Sequence, residues 1–178
     1  MSGWLRLVLA AQLAFFGLWG AALVRSHADA PAVWLATQPV DPRDLLSGHY
    51  VALRYRLSSA AAAGCDTPKT RQPVTVWVRL AETGETVLTD EGPVTLADAV
   101  ACVREGPPPA DGALWMTGRI EPERRRDEIA YGIERFYVAE TSPLRDARSG
   151  QVVAKIAVGV DGTPRIQALV PIVDGQAR

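Results

Sequence analysis

The order of hydrophobic and polar positions divides the chain near residue 30. From Leu7 to Val24 the run LVLAAQLAFFGLWGAALV is apolar on every side, with Gln12 its one clearly polar member. As a helix it covers about 27 Å, close to the roughly 30 Å hydrocarbon core of a bilayer. A helix apolar around its whole circumference reads as a membrane anchor rather than as one face of a core. Beyond Pro31 the period changes to two, the signature of half-buried strands.

Val33–Thr37 reads as a short strand. The stretch DPRDLLSG predicts one helical turn, capped by Asp41, with Pro42 at its first position and Gly48 at a left-handed exit. A strand follows in which His49, Val51, Leu53, Tyr55 and Leu57 form the core face, and Tyr50, Ala52, Arg54 and Arg56 the other. The segment PVTVWVRLAETGETVLT predicts a hairpin with Gly84 in its turn and Val87–Thr89 returning. Residues 95–105 allow either a strand or a helix, since Thr95 and Asp98 resemble a capping pair before Gly106. ALWMTGRIE and EIAYGIERFYVAE predict a second hairpin across the charged turn PERRRD. VVAKIAVGVDGTPRIQALVPIV predicts a third, turning at Asp161-Gly162.

The expected fold is therefore all-β, mainly an antiparallel sandwich or barrel of seven to eight strands, preceded by one transmembrane helix. Its two parts are an anchor over residues 1–30 and a β-rich domain over 31–178. The lipid bilayer is the expected partner of residues 4–24. The alternative is a cleavable signal with Ala28 and Ala30 at the cut, although its apolar region is longer than the usual ~7–15 residues.

Composition adds little about ligands. With 178 residues and a net charge of −1, the chain lacks the basic footprint of a nucleic-acid binder. Cys65 and Cys102 lie outside any CxxC redox or zinc spacing, so the readings are a structural disulfide or two buried thiols. A disulfide and a short N-terminal tail favour a single pass through a bacterial inner membrane, with the C-terminal domain in the periplasm.

Catalytic patterns are mostly missing. The sequence has no P-loop, HExxH or GxSxG, and no pattern that assigns a metal or an organic cofactor. His27 and His49 are its two histidines, and no motif supplies a serine for either. Glu134 and Glu140 share strand parity, but six strand residues hold them about 20 Å apart, beyond the roughly 5–9.5 Å of paired glycosidase carboxylates.

The stretch GHYVALRY, Gly48 to Tyr55, resembles the signature of the GDYXXLXY family. Gly48, Tyr50, Leu53 and Tyr55 match, and His49 stands in place of the family's Asp. YGIERFYVAE resembles a later family segment, with Glu134 and Glu140 in matching places and Ala139 where Pro is expected. The resemblance implies a membrane-anchored protein and a polytopic membrane partner, and it implies no activity. The expected function is thus a non-enzymatic accessory or binding module. The alternative is a periplasmic hydrolase or cell-envelope ligand binder with a pocket near His49, Tyr50 and Glu134.

Overall fold

A computed structural model of the chain describes residues 3–28, 30–39, 50–66, 68, 72–104, 106–121, 127–139, 142, 144 and 149–173. Two compact units result, Met1–Ala30 and Pro31–Arg178. The first contains one helix, α1 (Gly3–Ala28), and its stretch Gly3–Ala22 is long and apolar enough to cross a membrane. The predicted turn at 41–48, with Gly48, lies outside the described residues, as do residues 122–126 of the charged turn.

The second unit is β-rich. Its strands are β1 (Ala32–Gln38), β2 (Tyr50–Ala52), β3 (Arg54–Tyr55), β4 (Val74–Thr89), β5 (Gly92–Arg104), β6 (Leu114–Ile120), β7 (Ile129–Ala130), β8 (Arg135–Tyr137), β9 (Val152–Val158) and β10 (Pro164–Pro171). The main sheet runs β10-β9-β1-β5-β4-β6-β7, with β3 added on β1, while β2 and β8 form a separate two-stranded ribbon. Pairing is antiparallel except between β1 and β5, so the sheet is mixed. It curls but does not close along its length. At one end the β9–β10 turn meets β6, where the Thr117 N–H donates to Gly162 O at 2.8 Å. At the other, a single bridge joins Thr89 to Ile172.

β1 is the strand on which the sheet is built. One edge pairs with β9 over Ala32–Ala36. The other is shared, Trp34–Leu35 with β5 and Thr37–Gln38 with β3. Both faces of β1, β9 and β10 are covered. Leu35, Ile156 and Leu169 belong to the main core, where the stretch from β2 through the turn after β3 contributes Val51, Leu53, Tyr55 and Leu57, and the β7–β8 connection contributes Tyr131 and Ile133. On the opposite face Trp34, Val153 and Val170 pack with Val87 and Leu96 from the far half of the β4–β5 hairpin. Burial on two faces explains why β9 is an almost continuous apolar run rather than an alternating one. A bulge between Ile166 and Ala168 resets β10, so that Ile166 faces the first core and Ala168 the second.

Two expectations are corrected, and one open alternative is decided. The segment 74–89 is one strand, and its partner is β5. Gly84 takes φ +77°, but within a register shift between Glu82 and Thr86. The bulge is held locally, because Thr83 Oγ1 donates to Leu96 O at 3.1 Å and accepts from the Glu85 N–H at 3.2 Å. The reversal comes later, at Asp90-Glu91, with Gly92 at φ +114°. Residues 95–104, for which the sequence allows strand or helix, are strand, because they gain a ladder along β4 and Asp98 sits opposite Ala81 instead of capping a helix. The segment EIAYGIERFYVAE is not one strand: β7 stays with β6, Gly132 at φ +78° breaks the run, and β8 crosses to β2. The third hairpin forms as expected, turning at Asp161-Gly162.

Gly162 and Gly84 separate two roles of glycine. Both have positive φ, but a Cβ at Gly162 would lie 2.3 Å from the Trp77 ring, whereas Gly84 has open space around it. Gly84→Ala is expected to cost about 1–2 kcal/mol for the left-handed backbone. Gly162→Ala should cost a further 1–3 kcal/mol or so from overpacking. Thermal unfolding of the two variants side by side measures the difference, and equal losses would refute the close approach.

Candidate functional site

The signature strand divides over its short length. Val51, Leu53, Tyr55 and Leu57 are buried, as the alternation predicts. Yet β2 pairs with β8 while β3 pairs with β1, so the signature bridges the ribbon and the main sheet. The strand ends in a tight 3-10 turn (Arg56–Ser58), where Ser58 Oγ accepts the Tyr55 N–H at 3.2 Å.

The second segment docks directly onto this unit. Tyr55, fully buried, donates its hydroxyl to Ile133 O at 2.9 Å. Tyr131 donates its hydroxyl to Leu57 O at 2.8 Å. The Leu53 N–H donates to Glu134 O at 2.8 Å. Gly132 lets the chain fold back, so that the Glu134 carboxylate accepts the Tyr131 N–H at 2.5 Å. Burial, with a smaller contribution from the Glu134 charge, pushes both tyrosine hydroxyls far above the ordinary phenol range. Both therefore remain donors, as their bonds to carbonyl oxygens require.

Arg56 ties the same turn to the long hairpin. Its guanidinium reaches Glu85 Oε2 at 3.2 Å, in the β4 bulge. Its Nε lies 2.7 Å from Asp98 Oδ2 without a well-aligned N–H, an ion contact rather than a hydrogen bond. At this exposure such pairs contribute about 0–1 kcal/mol. Cys65 and Cys102 are joined as a disulfide, which links the loop after the 3-10 turn to β5. The buried hydroxyls of Thr37, Ser58, Thr89 and Ser149 all bond to backbone groups, so they serve the fold.

Tyr50 is placed differently. It lies opposite Tyr137 with ring centroids 6.0 Å apart, and the Arg135 guanidinium sits 5.2 Å from its ring centre. Tyr137 is 72% exposed. A groove of about 300 Å³ opens beside β8, and Arg135, Phe136, Tyr137, Pro164 and Ile166 are among its lining residues. Neither Tyr50 nor Glu134 lines that groove. Gly48, His49 and Glu140 lie outside the described residues. Among the described residues no cluster of His, Cys, Asp or Glu has a metal-binding arrangement.

This clasp joins the two segments that carry the family resemblance. A model of the family described as GDYXXLXY protein matches residues 12–169. The chain belongs to the GDYXXLXY family. No curated protein and no solved structure matches it. Within the family segments, sequence reading singled out Tyr55, Leu53 and Glu134 but missed Tyr131, Arg135 and Tyr137 as partners. One signal was available: all four tyrosines of the chain fall in these two segments.

Tyr55→Phe and Tyr131→Phe should each cost about 1 kcal/mol or more, by leaving a buried carbonyl without its donor. Alkali should expose the same dependence. An unfolded tyrosine ionises near 10, whereas these two stay protonated in the fold, so their stability contribution is complete below about pH 10 and declines above it. Thermal midpoints measured from pH 8 to 11 should fall steeply at the top of that range. Phenylalanine at both positions should flatten the fall, and an unchanged slope would contradict the assignment.

Proposed function

We propose that this chain is a membrane-anchored extracytoplasmic binding module, an accessory to a polytopic protein of a bacterial inner membrane. The reading rests chiefly on how the signature is used. The Tyr55 hydroxyl, the Leu53 side chain and the Glu134 carboxylate are engaged inside the fold, while Tyr50, Arg135 and Tyr137 form an aromatic and cationic surface. Groups committed to internal bonds are poorly placed to meet a substrate. The apolar helix supports the anchor, and a disulfide suits an oxidising compartment.

Affinity capture of the tagged full chain from solubilised membranes should recover a multi-span protein, and recovery of nothing above background would remove the reading. Tyr50→Phe keeps the ring against Arg135 and Tyr137 and should leave capture intact. A stable, exported Tyr50→Phe chain that fails to complement a deletion would instead favour the hydrolase or ligand-binding alternative, in which the hydroxyl acts.

Export has its own test. A C-terminal reporter that works only outside the cytoplasm should be active. Non-reducing mass spectrometry of the native protein should yield Cys65 and Cys102 in one linked peptide pair. With the cysteines 37 positions apart in the chain, reduction should lower stability by roughly 4 kcal/mol. Two alkylatable thiols in freshly isolated protein would argue against an oxidising location.

A further inference from the structure

Among the described residues, the outer edge of β8 in the β2–β8 ribbon has no strand partner. In an antiparallel ladder, opposed residues alternate between pairs that exchange hydrogen bonds and pairs that do not. The bond from the Leu53 N–H to Glu134 O sets the phase. Val51 and Phe136 are then the next bonded pair, and the peptide groups of Arg135 and Tyr137 face away from β2. No described strand pairs with β8 on that side.

The same groove is bounded opposite by β10, the last strand of the main sheet. There the Gly159 N–H to Thr163 O bond sets the phase, so Arg165 bonds inward to Ala157 and the Ile166 peptide faces out. Pro164 has no N–H to offer, and the bulge after Ile166 ends the regular edge. β10 is therefore blunted as a pairing edge, whereas β8 is not. Among the described residues, the lining includes Arg135 and Arg165 and no carboxylate. Arg165 interacts elsewhere in the fold. Arg135 is exposed, braced on the Tyr50 ring, and without an ion-pair partner among the described residues.

We propose that the outer edge of β8 takes an extended, acidic segment of a partner protein as a third strand, its backbone pairing with Arg135 and Tyr137 and its carboxylate meeting the Arg135 guanidinium. Strand addition draws affinity from main-chain bonds and specificity from neighbouring side chains. Arg135 supplies the forked, charge-assisted recognition that selects a carboxylate. The inference rests on the binding-module reading and names the edge and the chemistry that module would use.

The probe is a random peptide library displayed on phage, panned on the full chain in nanodiscs. The enriched peptides should carry Asp or Glu among β-forming residues and lack a central proline. Their affinity should fall by about tenfold or more with Arg135→Glu, the size of one lost charge-assisted contact. It should disappear with Tyr137→Pro, which removes an outward N–H while leaving the bonds to β2 in place. If Tyr137→Pro lowers the thermal midpoint, Arg135→Glu alone decides, because repeat panning on it should select basic peptides. No enrichment, or equal binding to wild type and both variants, would overturn the proposal. So would Arg135-dependent binding of phosphatidylglycerol vesicles that Tyr137→Pro leaves unchanged, since that marks a membrane-facing surface. Capture of a polytopic partner undiminished in both variants would keep the module reading and remove this edge from it. Failure of capture alongside acidic-peptide binding would do the reverse.

Discussion

Two tyrosine hydroxyls, each given to a carbonyl of the other's segment, hold this domain's signature in place. Tyr55 reaches Ile133, and Tyr131 reaches Leu57. The exchange crosses more than seventy residues of chain and takes place inside the main core. A phenol is suited to the task because its ring fills apolar space while its tip satisfies a carbonyl that would otherwise be buried unpaired. Everything nearby follows from that registration: the 3-10 turn that positions Arg56, the fold-back at Gly132, and the placement of β8 beside β2. Loosening it would free the ribbon that carries the outward tyrosines.

The second constraint is the double burial of β1, β9 and β10. Strands covered on both sides suit small or branched side chains, and here Ala36, Ala154, Ala157 and Ala168 alternate with valine, leucine and isoleucine. The far half of the β4–β5 hairpin provides the second cover. It reaches that position only because the Gly84 bulge bends a strand that would otherwise run straight past the sheet. The Lys155 ammonium, 5.7 Å from the Trp34 ring centre, lies on this face as well, an amphipathic side chain resting along an aromatic one.

Much of this was legible because the physics is local. An apolar run long enough for a bilayer, alternation from Val51 to Leu57, and Asp-Gly between two apolar stretches each have one dominant interpretation. Gly84 did not, since a positive φ serves a turn or a bulge equally and the choice depends on β5, a distant partner. Residues 95–104 were ambiguous because alanine fits helix and strand alike, and pairing with β4 decides. At the site, Tyr55 and Leu53 could be assigned to the core by parity. Their partners could not, because Ile133 and Glu134 come from a segment whose break at Gly132 is invisible to a period-two pattern. Arg135 and Tyr137 looked like ordinary hairpin residues until β8 was found to pair with β2 instead of β6.

β1 is both the first strand after α1 in the chain and an interior strand of the sheet. Ala32 pairs with Ala157, and the second face of Trp34 is covered by residues as late as Val170 and Ile172. A chain released from its N-terminus onward, whether by a ribosome or through a membrane channel, thus presents its central strand first and the flanks that shelter it last. Non-local pairing of this kind is slow to reward the ordering it requires. Its first strand can meet β5 and β3 along one edge as they emerge, while its other edge waits for β9, late in the chain. Truncation before β9 would leave one edge of β1 unpaired and open to another copy of the chain.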